Sequence, residues 1–263
     1  MVAPRPHRHV GAALFVAAVL LYLYAPVIVT VLFSFANSPR LSLPIEGLTL
    51  EWYGRALSNP LIVTALKNTA ILAVVSAVGG CLAGTAFAFG ILRLKQARVR
   101  RILLGASLLP AIVPLLVIGI SLAVFFRTLG SQPGLFNAAI GHIIVSLPFV
   151  ILTLNAKLET FDFSVLEAAR DLGATPFRAF SDITFPLIRT SVIGAGLLAA
   201  ALSLDEFIVT WFNVGTQLTA PVLVWGLMRR GVDPSINALA TLFLVALMIL
   251  VAASSLLGRR KSA

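Results

Sequence analysis

Six runs of apolar residues, each long enough to cross a hydrocarbon layer, follow one another along the chain. They cover residues 11–35, 66–92, 102–126, 137–154, 187–210 and 236–257. A bilayer core needs about 20 such residues per helical crossing. Lipid offers backbone amides and carbonyls no partner, so each crossing must satisfy its own hydrogen bonds as a helix. The fold expected is therefore an all-α membrane protein with six spans. Composition agrees: 59% of the 263 residues are hydrophobic and mean hydropathy is +1.00, against about 45–50% apolar residues in soluble domains.

The first run follows a basic head, MVAPRPHRH, but it is about 25 residues long. A secretory h-region has about 7–15 and is followed by a small-residue cleavage site, so the run is read as a retained span. Orientation comes from Lys and Arg. With the N-terminus inside, 14 bases fall in cytoplasmic segments: Arg5, Arg8, Arg93, Lys95, Arg98, Arg100, Arg101, Lys157, Arg170, Arg178, Arg189, Arg259, Arg260 and Lys261. Six fall outside: Arg40, Arg55, Lys67, Arg127, Arg229 and Arg230. This bias places both termini in the cytoplasm. The net charge of +10 is thus a topology signal. Its bases sit in short clusters between apolar runs rather than interleaved with aromatics, which argues against nucleic acid as a partner. The single Cys81 excludes an intramolecular disulfide and a Cys-based zinc cage.

Several spans carry residues that bend helices. Pro26 lies in the first, Pro110 and Pro114 in the third and Pro148 in the fourth; each removes a backbone donor. Pro110 and Pro114 either line a cavity or only shape the bundle. Gly80 with Gly84, and Gly194 with Gly196, suit close helix approach. Two outer segments, 37–64 and 212–235, are too short to be domains, and Trp52 and Tyr53 in the first read as interfacial aromatics. No linker or repeat divides the chain, so a single transmembrane domain over residues 1–263 is expected.

One stretch is different in kind. VLEAARDLGATPFRAFSDITFPLI, residues 165–188, gathers three acids and two arginines in a chain with 11% charged residues. Ser164 and Glu167 have the spacing of a capping box. Gly173 can supply the left-handed residue that stops a helix, and Thr175-Pro176 reads as a cap and first position of the next. Two short helices across 165–183, joined at a sharp turn, are expected. By composition alone this is equally a solvated loop or an interaction surface.

EAARDLGA followed by ITFPLI resembles the EAA signature of permease subunits of binding-protein-dependent ABC importers. GHIIVSLPFVILTLNAKLETFD, LSLDEFIVTWFNVG and TAPVLVWGLMRRGVDPSINALAT extend the resemblance to the spermidine/putrescine branch, from about Trp52 to the end of the sixth span. The resemblance implies a six-helix type I importer permease fold in the bacterial inner membrane, with the charged stretch as a cytoplasmic coupling helix. It implies that Glu167, Ala168, Ala169, Asp171, Leu172 and Gly173 contact the ATPase. It also implies two ATP-binding subunits holding ATP and Mg²⁺, a second permease as a heterodimer partner, and an extracytoplasmic solute-binding protein. The cargo implied is a small organic solute, foremost a polyamine such as spermidine or putrescine, with another organic solute as the alternative.

The chain lacks G-x-x-x-x-G-K-[ST] and H-E-x-x-H, which fits a transport subunit without catalytic residues, metal site or cofactor of its own. A self-contained ion-coupled transporter or channel would not need the charged helix pair, and an intramembrane enzyme would need converging catalytic groups. His142 reads as a packing or cavity-lining residue. Asp205 and Glu206 are the acids placed in a span, about 27 to 29 Å along the fifth helix from Leu187. Successive helical residues diverge by about 100°, so the two acids are expected to face different neighbours. The polyamine resemblance makes Asp205 the leading cargo contact, with Glu206 second and Trp211, beside a more aromatic outer end, as a cation–π neighbour.

Overall fold

The computed structural model describes residues 7–38, 42–229 and 234–259. Arg5, Arg40, Arg230, Arg260 and Lys261, used above for orientation, lie outside them, as do the side chains of Arg8 and Arg259. The elements in order are α1 (His7–Ser34), α2 (Glu51–Ser58), α3 (Pro60–Leu92), α4 (Ala97–Ser107), α5 (Leu109–Ile112), α6 (Leu115–Thr128), α7 (Leu135–Glu159), α8 (Ser164–Asp171), α9 (Pro176–Arg178), a π-helical turn (Ala179–Thr184), α10 (Phe185–Asp205), α11 (Ile208–Asn213), α12 (Ala220–Met228) and α13 (Pro234–Arg259). Among the described residues the extended pairing is one isolated bridge, Ala36 to Leu48. The chain groups into two compact units, Met1–Pro60 with Gly226–Val245, and Leu61–Trp225 with Ala246–Ala263.

In the first unit, the most apolar 18-residue window of α1 has no buried residue, an arrangement that lipid tolerates and water does not. The chain then folds back on the end of this helix. Ser34 donates to the Val31 carbonyl at 2.6 Å and accepts from the Tyr53 hydroxyl at 2.6 Å. Trp52 is 6% exposed and donates its indole N–H to the Ala36 carbonyl at 2.7 Å. Trp52, read as an interfacial aromatic, is thus covered by the loop that follows α1.

In the second unit, α3, α7 and α10 form the core around Ala88, Val150, Leu154, Leu158, Ile188, Ala195 and Ala199. Small residues set the spacing. A Cβ built on Gly84 would stand 2.5 Å from Val150 Cγ1, and one on Gly196 2.9 Å from the Cys81 sulfur. Gly194 has nothing within 4 Å, so Gly196 alone of that pair permits approach. Cys81 donates to the Val192 carbonyl at 3.3 Å.

The third span is interrupted, as its prolines indicate, and the fifth has other bounds than expected. The helices on either side of Val113 and Pro114 turn through 99°, with both residues extended. Pro114 cannot donate and pushes the residue before it out of helical geometry. Pro110, by contrast, sits in the first turn of α5, where a missing donor costs nothing. The fifth span runs unbroken from Pro176 to Asp205, so the second short helix of the charged stretch is the base of that span rather than a separate element. It also ends early, at Asp205 instead of Thr210. Pro148 is carried inside α7. Among the described residues, four helices are long and apolar enough to cross a bilayer, and the bent pair makes a fifth; α13 continues the helical series from Pro234 to Arg259.

Candidate functional site

The charged turn is built by local chemistry. Gly173 has φ +86°; its amide donates to the Arg170 carbonyl at 2.9 Å, and the Ala174 amide to the Ala169 carbonyl at 3.0 Å. These paired bonds form a Schellman stop, which requires a left-handed residue. Thr175 Oγ1 accepts from the Arg178 amide at 3.3 Å with Pro176 in the first turn, as its sequence indicates. The expected capping box is replaced. Ser164 donates its hydroxyl and its amide to Asp162 Oδ1 at 2.7 and 3.0 Å, so the cap comes from the residue two places earlier. Those two bonds hold the Asp162 carboxyl below the usual carboxylate range.

Glu167, Ala168, Asp171, Leu172 and Gly173 all face outward, whereas Ala169 is turned into the protein at 9% exposure. Leu172 is 89% exposed and Phe177 is 78% exposed. Phe177 was not among the residues singled out from sequence, although a large apolar side chain one position after Pro176 in a helix-starting turn was the available signal.

The second constellation lies where α10 stops. Glu206 is extended, at φ −71° and ψ 103°, and α11 restarts at Ile208. Asp205 and Glu206 both line a cavity of about 860 Å³, with Pro110, Val113, Phe149 and Phe207. Among the described residues, none of its lining side chains is Lys, Arg or His. Asp205 is exposed. Glu206 is 8% exposed, and its Oε1 accepts from the Val209 amide at 2.9 Å, fixing it against the first turn of α11. Trp211 is not part of this lining. It lies 5.7 Å from the Phe207 ring, which in turn is 5.5 Å from Trp225, so Phe207 is the member of this cluster that reaches the cavity.

A buried polar seam runs beside the break. His142, 2% exposed, places Nδ1 2.6 Å from Ser203 Oγ and Nε2 2.7 Å from Thr210 Oγ1. Asn213 donates to the carbonyls of Gly119 and Val209 at 3.0 and 2.9 Å, tying α11 to α6. No group of three or more His, Cys, Asp or Glu that could hold a metal occurs among the described residues.

The profile of the family described as "Binding-protein-dependent transport system inner membrane component" matches residues 76–262. The chain is 34% identical over 249 residues to the spermidine/putrescine transport system permease protein PotC of Escherichia coli strain K12, covering 94% of each. It is 33% identical over 235 residues to the putrescine transport system permease protein PotI of the same strain, covering 87% of this chain and 83% of that protein. In three dimensions it resembles a chain of a bacterial ABC transporter involved in the import of the acidic polysaccharide alginate, with a TM-score of 0.72 at 19% identity over 97% of this chain and 98% of the other. A chain of the MetNI methionine ABC transporter gives 0.64 at 17% identity over 76% and 95%. These two likenesses establish the fold, that of the type I ABC importer permeases. The self-contained channel and the intramembrane enzyme are thereby set aside: the chain belongs to the inner membrane components of binding-protein-dependent transport systems, and is a permease subunit of an ABC importer.

Proposed function

We propose that the chain carries a polyamine, spermidine or putrescine in the first instance, across the inner membrane. The observation that carries this reading is the cavity at the α10 break, where two carboxylates stand in apolar walls with no described base among the lining residues. A polyamine has the complementary pattern. Its methylene spacers suit Pro110, Val113 and Phe149, and its ammonium groups need carboxylates to replace the hydration lost on entry. The names of the relatives in Escherichia coli support the same class.

In this reading Asp205 is the primary cargo contact, because it is exposed within the cavity. Glu206 is the second, supplying the oxygen not engaged by Val209. The chain works with a second permease of different sequence, two ATP-binding subunits that hold ATP and Mg²⁺, and an extracytoplasmic binding protein, with both of its termini in the cytoplasm. Glu167, Ala168, Asp171, Leu172 and the Gly173 turn, joined by Phe177, form the face that meets the ATPase. Ala169 supports that face from behind.

The test is spermidine uptake by the full complex in proteoliposomes supplied with its binding protein. Asp205→Asn keeps size and hydrogen bonding while removing charge. Loss of a charge-assisted contact predicts a fall in uptake of about tenfold or more, with the ATPase still co-purifying. Wild-type spermidine uptake by this variant would refute the cargo assignment.

A further inference from the structure

The break between α10 and α11 has one local support, the Val209 amide on Glu206 Oε1 at 2.9 Å, and no residue that stops a helix by itself. LSLDEFIVT contains neither glycine nor proline, and the Glu206 amide reaches the Ser203 carbonyl only at 3.4 Å. A helix that stops in such a sequence draws on partners outside it as well as on that cap. We propose that His142 is this outside partner, a positioning residue: by bonding Ser203 on one side of the break and Thr210 on the other, it keeps the Asp205 and Glu206 carboxylates aimed into the cavity. The proposal rests on the reading of that cavity as the cargo route.

The hydrogen bonds define its form. Thr210 has one hydroxyl proton and donates it to the Glu206 carbonyl at 2.7 Å, the group released where the helix stops. Thr210 Oγ1 therefore accepts from His142 Nε2–H, and Nδ1 accepts from the Ser203 hydroxyl. A single neutral imidazole thus spans Ser203, the Glu206 carbonyl (through Thr210) and the first half of α11. Ser203 and Thr210 are 3% and 0% exposed, so an unmade bond here has no water to replace it. The ring is anchored by α7, whose Ser146 meets Ser76 of α3 at 3.1 Å, and the break is therefore referred to the core of the unit rather than to its own helix.

The test separates aiming from packing. In the assembled complex, His142→Leu fills the site without donor or acceptor, while His142→Gln keeps one of each. Hydrogen exchange of the amides at 206–213 should rise about tenfold in His142→Leu, remain near wild type in His142→Gln, and be unchanged in α8 of both. The spermidine concentration for half-maximal uptake should rise in His142→Leu and be restored in His142→Gln. Unchanged exchange at 206–213 in His142→Leu, equal loss in both variants, or increased exchange with unaltered spermidine uptake would each overturn the proposal. The cargo reading fails separately, through a silent Asp205→Asn, without altering the exchange result.

Discussion

The turn at Gly173 and the break at Glu206 both interrupt helices, and they do so by opposite means. At Gly173 the backbone itself takes a conformation that side-chain-bearing residues resist, and two amide bonds within six residues close the stop. At Glu206 the backbone is ordinary extended chain, and the interruption is held by side chains from distant sequence: His142 is 61 residues from Ser203 and 68 from Thr210. On the reading proposed above, a joint that transmits force to the ATPase gains from a shape that does not depend on the rest of the fold, and a cargo-facing break gains from being tied to neighbouring helices.

The largest expected effect breaks the first member of this pair. A Cβ on Gly173 meets nothing within 4 Å, so any penalty for replacing it comes from φ alone. Gly173→Val should cost about 1–3 kcal/mol at the turn, and should abolish uptake and weaken ATPase retention while the spans still insert. Gly173→Asn should retain much of both, since asparagine tolerates the left-handed region. Co-purification of the ATPase with the two variants, alongside uptake, checks this; equal behaviour of Val and Asn would place the importance of Gly173 elsewhere than in its backbone angle.

A smaller effect sharpens the second member. Glu206 combines a cap and a charge: Oε1 takes the Val209 amide, and the residue lines the cavity. Glu206→Gln leaves an acceptor for Val209 and removes the charge, whereas Glu206→Ala removes both. The alanine variant should lose about 0.5–2 kcal/mol of local stability at the start of α11, read as faster exchange of its amides. The glutamine variant should keep those amides protected and lower spermidine uptake less than Asp205→Asn does. Faster exchange in both would mean that the charge, and not the cap, orders α11.

This contrast also explains what could be read from residues alone. The Gly173 stop and the Thr175-Pro176 start were legible because each depends on one residue's own backbone preference. The six apolar runs were legible because bilayer thickness sets their length. The early end of the fifth span was not: LSLDEFIVTW continues the apolar helical pattern, and its breaking partners lie in other helices. The same holds for Trp52, whose burial follows from the chain folding back on Ser34 and Ala36. His142 could be placed as a packing residue, but its two bonds require knowing which hydroxyls α10 and α11 bring to it.

The smallest effect concerns the cap of α8, the one place in the charged turn where sequence indicated the wrong oxygen. Ser164 has capping-box spacing to Glu167, yet it lies in the first turn of α8, where its own amide needs an acceptor, and Asp162 supplies one. Because these bonds hold the Asp162 carboxyl below its usual range, its folded form is favoured above the ordinary carboxylate pKa. That contribution is lost as pH falls through the lowered value and the group protonates. Asp162 is fully exposed, so the effect is confined to the helix end. Asp162→Ala should speed exchange of the first α8 amides at neutral pH, and Asp162→Asn, which can still accept, should not. Acidification should bring the wild type toward the alanine variant and leave the asparagine variant unmoved. Uptake at neutral pH should change little in either, because the Gly173 stop holds the other end of α8; a loss of uptake matching Gly173→Val would mean that the start of this helix, and not its turn, governs the joint.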